Sequence, residues 1–163
     1  GRILGAQAVG EEGVDKRLDV IATMIQMRGS VHDLAEAELC YAPQYGSAKD
    51  PVNVAGMMAC NALRGDMPLA DWGALGCTKP YLLDVREPEE FAKGHMEGAT
   101  NLPLSQLRKR EAEVPRDRQV WVYCAAGQRA YFAQRLLRQR GVDALNLSGG
   151  YTTWKALRDA GEA

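Results

Sequence analysis

The sequence predicts an α/β protein whose second half forms a parallel sheet with helices on both faces. Short apolar segments at residues 81–85, 120–123 and 144–147 alternate with helical segments. Strands that are separated by helices usually pair in parallel and are covered on both sides, so this alternation indicates a parallel sheet. The first half lacks the alternation, and Gly and Pro residues at 64–68 mark a boundary between two unlike regions.

Each element of the second half has a local signal. Residues 120–123 are the most strand-like segment, because β-branched and aromatic residues stand together there. Ala133, Leu136 and Leu137 form an apolar stripe at helical spacing, and Gly141 follows where a helix would end. The predicted order is strand 81–85, helix 88–93, strand 99–102, helix 104–113, strand 120–123, helix 128–140, strand 144–147 and helix 152–160.

The sequence pattern of the first half, residues 1–64, predicts helices and little β-sheet. Leu18, Ile21 and Ile25 lie on one side of an amphipathic helix. A segment of about 65 residues buries little surface, so we expect a thin core that belongs to a larger domain or forms a docking surface. The chain starts without Met, and we expect it to be part of a longer protein. The predicted elements are an exposed or edge strand at 1–10 and helices at 15–28, 33–39 and 50–63.

Composition and cysteine spacing argue against several classes of function. The net charge is −1, whereas nucleic-acid-binding domains usually carry a basic excess, so we expect no nucleic-acid partner. No apolar run approaches the roughly 20 residues that cross a bilayer, and the first residues do not resemble a signal peptide. Four scattered cysteines without zinc-finger spacing predict no metal site and a reducing, cytoplasmic location. We interpret Cys40, Cys60 and Cys77 as buried or half-buried structural thiols.

The candidate chemistry lies in the loop after strand 120–123, where open α/β sheets place their sites. Successive amide N–H groups and the positive end of the next helix would favour a thiolate or a persulfide anion on Cys124. Arg129 either adds a positive charge or ties the loop to a neighbouring carboxylate, and Gly127 lets the loop bend. The alternative is a buried cysteine followed by an ordinary loop. The loop residues are Cys124, Ala125, Ala126, Gly127, Gln128, Arg129 and Ala130.

Four motifs in the second half resemble the rhodanese family of sulfurtransferases. Residues 124–129 fit the pattern Cys-x-x-Gly-x-Arg, and residues 83–91, 94–103 and 148–154 resemble the family's other motifs in the same order. The resemblance covers residues 67–161 and implies a rhodanese-like parallel sheet. It also implies that the chain is an enzyme that carries sulfane sulfur as a persulfide on the loop cysteine.

The resemblance implies supporting roles for residues outside the loop. Asp84 and Arg86 are expected to act as scaffold, paired with one another or with the loop. For His95 a general base is conceivable, but the resemblance favours a structural hydrogen bond. Tyr151 and Trp154 are expected to pack rather than to contact substrate.

Related chemistries remain as alternatives. Cysteine phosphatases hold phosphate in a Cys-x₅-Arg loop, whereas only four residues separate Cys124 from Arg129. The shorter loop suits a single sulfur better than a tetrahedral phosphate, which argues against phosphatase or arsenate reductase activity. Coenzyme A persulfide, glutathione persulfide or polysulfide is the expected sulfur partner. A plain thiosulfate sulfurtransferase and a non-catalytic binding or dimerisation module stay open.

The first half resembles a different family. Residues 5–22 and 33–53 are similar to the C-terminal dimerisation domain of flavin-dependent pyridine nucleotide-disulfide oxidoreductases. The nearest group is the coenzyme A-disulfide reductases and NADH-dependent persulfide reductases, some of which carry a fused rhodanese domain. Residues 1–64 are therefore interpreted as part of such a dimerisation domain, and the complete protein as a homodimer that uses FAD, NAD(P)H and coenzyme A.

This second resemblance has limits within the chain. No G-x-G-x-x-G fingerprint occurs, so we expect no flavin or nicotinamide cofactor in this segment itself. It implies that Tyr41 or Tyr45 reaches a partner subunit's coenzyme A site, with packing or turn structure as the alternative. Residues 105–140 hold nine Lys or Arg against three acidic residues. Such a stretch is either a solvated face or a surface that steers the phosphates of coenzyme A.

Overall fold

The structure, a computed structural model, describes residues 1–161. The chain divides into two compact units, one of Gly1–Asp66 and one that begins at Met67. Within residues 1–161, no helix has both the length and the apolar character needed to cross a membrane. The helices are α1 Val14–Gln26, α2 Val31–Glu36, α3 Pro51–Leu63, α4 Leu75–Thr78, α5 Pro88–Ala92, α6 Leu104–Arg110, α7 Gln128–Gln139 and α8 Gly150–Asp159. The strands are β1 Tyr81–Asp84, β2 Thr100–Asn101, β3 Val120–Tyr123 and β4 Ala144–Asn146.

The second unit contains the predicted parallel sheet. Its strand order is β2-β1-β3-β4, and all three neighbouring pairs are parallel. In the central pair Leu83 lies opposite Val122 and Asp84 lies opposite Tyr123. The carboxyl ends of β1 and β3 therefore meet at one edge of the sheet, which is where Asp84 and Cys124 stand.

Helices cover both faces of this sheet, as the alternation of elements predicted. On one face Leu83, Val122 and Leu137 belong to a buried cluster that includes residues of α6 and α7. On the other face Trp121 and Tyr123 pack with Trp154 of α8 and with the turn that begins at Trp72. Consecutive residues of β3 lie on opposite faces of the sheet and pack into different clusters, so the whole strand is buried.

The first unit is helical and buries few side chains. Asp50 caps α3 and Ser30 caps α2, each through a reciprocal capping box. Between these helices Gly56 approaches the backbone of Ala35 so closely that a Cβ would lie 2.5 Å from its nitrogen. No residue of α1 is fully buried. The buried side chains of this unit are Leu34, Val52, Asn53 and Cys60.

Several predictions about individual segments were wrong. Residues 1–10 do not form a strand, because this unit offers no strand to pair with and Arg2 makes only an isolated bridge to Ser30. The short helical turns Trp72–Ala74 and Leu75–Thr78 were not predicted. Cys40 and Cys77 are exposed rather than buried, since one lies in a loop and the other in α4, while Cys60 is buried as expected.

Candidate active-site loop at Cys124

Cys124 stands directly after β3, at the start of the loop that leads into α7. The amide N–H of Gly127 donates to its sulfur at 3.1 Å. Since α7 begins at Gln128, its first amides have no intrahelical acceptor and form the positive end of the helix beside this loop. The residue is 2% exposed, so its sulfur lies at the base of the loop rather than at the protein surface.

The carbonyls of the first three loop residues are bonded to the segment that opens α8. The oxygens of Cys124, Ala125 and Ala126 accept hydrogen bonds from the amides of Tyr151, Thr152 and Gly149, at 2.8, 3.0 and 3.1 Å. In a trans peptide the N–H points opposite to the C=O. The amides of residues 125–127 are therefore directed away from α8, and that of Gly127 reaches the Cys124 sulfur.

Glycine at position 150 makes this close approach possible. Its φ of 54° lies in the left-handed region, and a Cβ there would collide with the carbonyl oxygen of Cys124. Gly127 also needs its freedom, since its φ of 125° turns the chain from the loop into α7. These two glycines allow the start of α8 to pack against the outside of the loop.

Arg129 is held by a carboxylate rather than directed at the sulfur alone. Its two terminal nitrogens donate to the two oxygens of Glu90 at 2.6 and 2.8 Å. The Arg129 hydrogen bonds lower the pKa of Glu90 to about 2, and Glu90 in turn raises the pKa of Arg129 above its ordinary value. Of the two roles predicted for Arg129, the geometry shows the tie to a neighbouring carboxylate.

Asp84 and Arg86 form a buried ion pair beside the loop. Arg86 donates from Nε and Nη2 to the carboxylate of Asp84, at 2.6–3.0 Å, and from Nη2 to the carbonyl oxygen of Gly94 at 2.8 Å. Burial alone would lower the pKa of Arg86, but the Asp84 carboxylate outweighs it and the pKa lies above its ordinary value. The guanidinium also lies 4.2 Å from the centre of the Tyr151 ring. The pair thus joins the end of β1 to the first turn of α8.

His95 is exposed and lies in the segment after α5. Its Nδ1 lies 3.0 Å from the carbonyl oxygen of Phe91, and its ring stacks on that of Phe91 with centroids 3.8 Å apart. The next residue, Met96, donates its amide to the hydroxyl of Tyr123 at 3.2 Å. The Met96 contact ties the segment after α5 to the sheet, and the structural role of His95 stays a prediction.

Two buried carboxamides near the loop were not singled out by the sequence. Asn146 donates to the carbonyl oxygen of Gly127 at 3.4 Å, and its backbone pairs with Pro68 and Ala70. Gln134 donates to the carbonyl oxygen of Pro68 at 2.6 Å. The segment that opens the second unit is therefore bonded to Gln134 and to Asn146, the second of which also contacts the loop.

Tyr41 and Tyr45 lie in the first unit, on the loop between α2 and α3. They line one cavity of about 240 Å³ together with Lys49. Tyr41 is 56% exposed and Tyr45 is 90% exposed, so neither is a core residue. Within residues 1–161, no group of three or more His, Cys, Asp or Glu side chains is arranged to hold a metal ion.

The sequence profile of the rhodanese-like domain family matches residues 70–157, more than half of the 163 residues. The chain belongs to the rhodanese-like domain family. Its parallel four-stranded sheet with helices on both faces is the fold expected from that family. The loop at Cys124 lies inside the matched region, as do the Asp84–Arg86 pair and Glu90.

Curated relatives match parts of the chain. A protein named sulfurtransferase from Allochromatium vinosum is 42% identical over 74 residues, which cover 45% of this chain and 69% of that protein. The coenzyme A disulfide reductase of Staphylococcus aureus (strain bovine RF122 / ET3-1) is 47% identical over 58 residues, 36% of this chain and 13% of that protein. These two proteins are larger than the segments that they share with this chain.

Two solved structures resemble nearly the whole chain. The reduced CoADR-RHD protein of Bacillus anthracis superposes with a TM-score of 0.86 at 42% identity, covering 91% of this chain and 27% of that one. The NAD-dependent persulfide reductase of A. fulgidus gives a TM-score of 0.80 at 36% identity, covering 89% and 26%. The rhodanese-like chain thus spans about a quarter of each of these proteins.

Proposed function

We propose that the chain is a sulfurtransferase that carries a sulfane sulfur as a persulfide on Cys124. The observation that carries this proposal is the Gly127 amide 3.1 Å from the Cys124 sulfur, in a loop whose first three carbonyls are bonded to the start of α8. Amides that converge on one point stabilise a negative charge there without the cost of reorganising water. Both the attacking thiolate and the persulfide anion carry such a charge.

The transfer consists of two displacements at sulfur. The Cys124 thiolate attacks the outer sulfur of a donor RS–SH, so that a new S–S bond forms and the donor leaves as the thiolate RS⁻. An acceptor thiolate R′S⁻ then attacks the outer sulfur of the Cys124 persulfide and leaves as R′S–SH, which restores the Cys124 thiolate. Neither step needs an external oxidant or reductant.

Cys124 is buried, as a purely structural cysteine would also be, so the carrier role rests on the amide contact to its sulfur. A persulfide places its outer sulfur about 2 Å beyond the cysteine sulfur, because that is the length of an S–S bond. The added sulfur extends from the base of the loop toward the amides of residues 125–127. Ala126 and Gln128 are exposed at the loop surface, where a slender donor terminus can enter.

The geometry favours persulfide or polysulfide donors over thiosulfate. Thiosulfate is a dianion, and the one arginine of the loop is already paired with Glu90 through two hydrogen bonds. A neutral or singly charged donor terminus requires less positive charge. We therefore propose coenzyme A persulfide, glutathione persulfide or polysulfide as donor, with plain thiosulfate sulfurtransferase activity as the alternative.

We further propose that the chain is the sulfurtransferase part of a longer, dimeric flavoprotein in the cytoplasm. Similarity to a persulfide reductase and to a coenzyme A disulfide reductase supports this proposal. FAD, NAD(P)H and coenzyme A would belong to that longer protein. No dinucleotide fingerprint occurs in the 163 residues, so no step through a flavin or nicotinamide is assigned to them. Tyr41 and Tyr45, exposed on one loop, are the residues proposed to contact a coenzyme A site of a partner subunit.

The test is the intact mass of the chain after treatment with a persulfide donor. Because Cys40 and Cys77 are exposed and can also take up sulfur, both are first changed to Ser. That background should gain one sulfur mass, and adding Cys124→Ser should remove the gain. A gain that survives Cys124→Ser, or no gain in the background, would contradict the proposal and favour a non-catalytic module. Loading rates with thiosulfate, glutathione persulfide and coenzyme A persulfide then separate the donors.

A further inference from the structure

Asn146, the last residue of β4, is a buried carboxamide that contacts the candidate active-site loop. It is 2% exposed, and in the sheet it lies opposite Val122, two residues before Cys124. Its Nδ2 donates to the carbonyl oxygen of Gly127 at 3.4 Å. The same nitrogen lies 3.8 Å from the sulfur of Met67. The side chain therefore reaches the loop from within the core of the rhodanese-like unit.

The polar side chain of Asn146 adds little to the stability of the fold. Its side-chain oxygen is shielded from solvent, and no donor in residues 1–161 reaches it. A buried acceptor without a partner lowers stability, whereas Leu has the same branched shape and no polar atom to satisfy. The Gly127 carbonyl also accepts the amide of Tyr131 at 2.9 Å, so it stays hydrogen-bonded without Asn146. A polar residue that the fold does not require indicates a role in the adjacent loop.

Gly127 depends on its contacts for its orientation, because glycine has no side chain that restricts its backbone. Its φ is 125°, and its N–H donates to the Cys124 sulfur at 3.1 Å. The peptide before it is fixed by the amide of Gly149, which donates to the Ala126 carbonyl at 3.1 Å. The peptide after it carries the oxygen that accepts from Asn146. Removing the Asn146 donor therefore loosens the residue whose N–H holds the sulfur.

The backbone of Asn146 is itself held in place on both edges of β4. Its amide donates to the carbonyl oxygen of Pro68 at 3.0 Å, and its carbonyl accepts from the amide of Ala70 at 2.9 Å. On the other edge, β4 pairs with β3. A side chain can orient its partner only when its own position is fixed by such supporting contacts. Asn146 meets that condition.

We propose that Asn146 is a positioning residue for sulfur transfer, whose Nδ2 keeps Gly127 in the orientation that directs its N–H at the Cys124 sulfur. This inference rests on the proposed sulfurtransferase function, because Asn146 acts through the amide that holds the reacting sulfur. Since Asn146 is buried, it does not contact the donor. Its loss should therefore slow the chemical step without weakening donor binding.

Gln134 of α7 provides a matched control. It is also a completely buried carboxamide, and no donor in the described part of the chain reaches its side-chain oxygen. Its Nε2 donates to the carbonyl oxygens of Pro68 and Ala144, at 2.6 and 3.0 Å, and neither of these residues belongs to the loop. Gln134 and Asn146 thus share their chemistry and burial, and they differ in whether they contact Gly127.

The first experiment compares Asn146→Leu with Gln134→Met, each close in shape to the residue that it replaces, in the chain with Cys40 and Cys77 changed to Ser. Asn146→Leu should lower the kcat for sulfur transfer from glutathione persulfide to free cysteine about five- to tenfold and change the KM less than about twofold. Its urea midpoint of unfolding should be unchanged or higher. Gln134→Met should keep its kcat and have a lower urea midpoint, because two backbone carbonyls lose a donor.

Three results overturn the proposal. The first is an unchanged kcat in Asn146→Leu, and the second is an equal loss of kcat in Gln134→Met. The third is a loss of kcat in Asn146→Leu that comes with a lower urea midpoint, since a purely structural residue would behave in that way. If Asn146→Leu does not fold, Asn146→Val decides in the same manner, because it also removes the donor and valine favours strands.

Alkylation separates this proposal from the proposed function. Iodoacetamide reacts with the Cys124 thiolate without any sulfur transfer. Asn146→Leu should slow the alkylation of Cys124 about fivefold, measured by peptide mass, and Gln134→Met should leave it unchanged. Slower alkylation in a chain that takes up no sulfur would contradict the proposed function and leave the positioning of Gly127 standing. Normal sulfur uptake with equal alkylation and equal kcat in all variants would contradict the role of Asn146 and leave the proposed function standing.

Discussion

The two units of the chain differ in how their candidate residues are held. In the rhodanese-like unit Cys124 and Asp84 are buried at the edge of a sheet that has a hydrophobic cluster on each face. In the first unit, Tyr41 and Tyr45 are exposed on a loop above a core of few side chains. The residues of the first arrangement are held by contacts within their own unit. The second is typical of residues that function against another surface.

The largest expected effect comes from the core of the rhodanese-like unit. Leu83→Ala removes a fully buried side chain at the centre of β1 and should lower the free energy of unfolding by about 2–5 kcal/mol. All three tryptophans of the chain, Trp72, Trp121 and Trp154, lie in this unit. Urea unfolding followed by tryptophan fluorescence therefore reports on this unit directly.

Leu18→Ala provides the matched change in the first unit. Leu18 is only half-buried in α1, so its loss should cost about 1 kcal/mol or less. Leu18→Ala should lower the urea concentration at which helix is lost, measured by circular dichroism. The unfolding transition followed by tryptophan fluorescence should stay unchanged. If Leu18→Ala lowered the free energy of unfolding as much as Leu83→Ala, the description of this unit as having a thin core would be wrong.

Gly150→Ala tests whether α8 shapes the loop. A Cβ at this position collides with the Cys124 carbonyl and also requires a left-handed backbone. We expect a loss of about 1–3 kcal/mol and a slowing of sulfur loading by about tenfold or more. Gly141→Ala is the control, since it has a φ of 80° but open space around the new Cβ. It should cost about 1–2 kcal/mol and leave the loading rate unchanged.

A smaller effect is expected from the pair of Glu90 with Arg129. Because its pKa is lowered from 4.5 to about 2, Glu90 contributes its full stability above about pH 4.5 and loses it as the pH falls toward 2. Glu90→Gln should cost about 0.5–1 kcal/mol at pH 7, since both side chains are about one third exposed. The variant should also lose less of its free energy of unfolding between pH 4.5 and 3 than the unchanged chain does, measured by urea unfolding. Glu89→Gln, which changes an exposed neighbour on α5, should have neither effect.

The smallest effect is expected at Tyr45. This side chain is 90% exposed, so Tyr45→Ser should change the stability of the chain by less than about 0.5 kcal/mol. Thermal unfolding measured by circular dichroism checks this. A larger loss would mean that Tyr45 packs against the chain itself, which was the alternative to a coenzyme A contact.

Local sequence patterns predicted most strands and helices of the second unit but not the long-range contacts that hold its loop in place. The strand at 120–123 was placed correctly because its β-branched and aromatic residues favour a buried strand on their own. Glu90 belonged to a recognised motif, but its contact with Arg129 spans 39 residues and has no local signal. The same holds for the carboxamide of Asn146, which reaches Gly127 from a neighbouring strand. The strand predicted at 1–10 failed for a related reason, since a strand requires a partner that sequence spacing does not supply.

From the sequence alone came the order of strands and helices after residue 80, the parallel sheet and the position of Cys124 between a strand and a helix. Hydrophobic periodicity and residue propensities act over a few neighbouring residues, so one-dimensional patterns contain them. Only the tertiary structure decided that the carbonyls of Cys124, Ala125 and Ala126 bond to the start of α8 and that Glu90 holds Arg129. These features depend on distances between segments far apart in the chain, which are determined by how the sheet and helices pack.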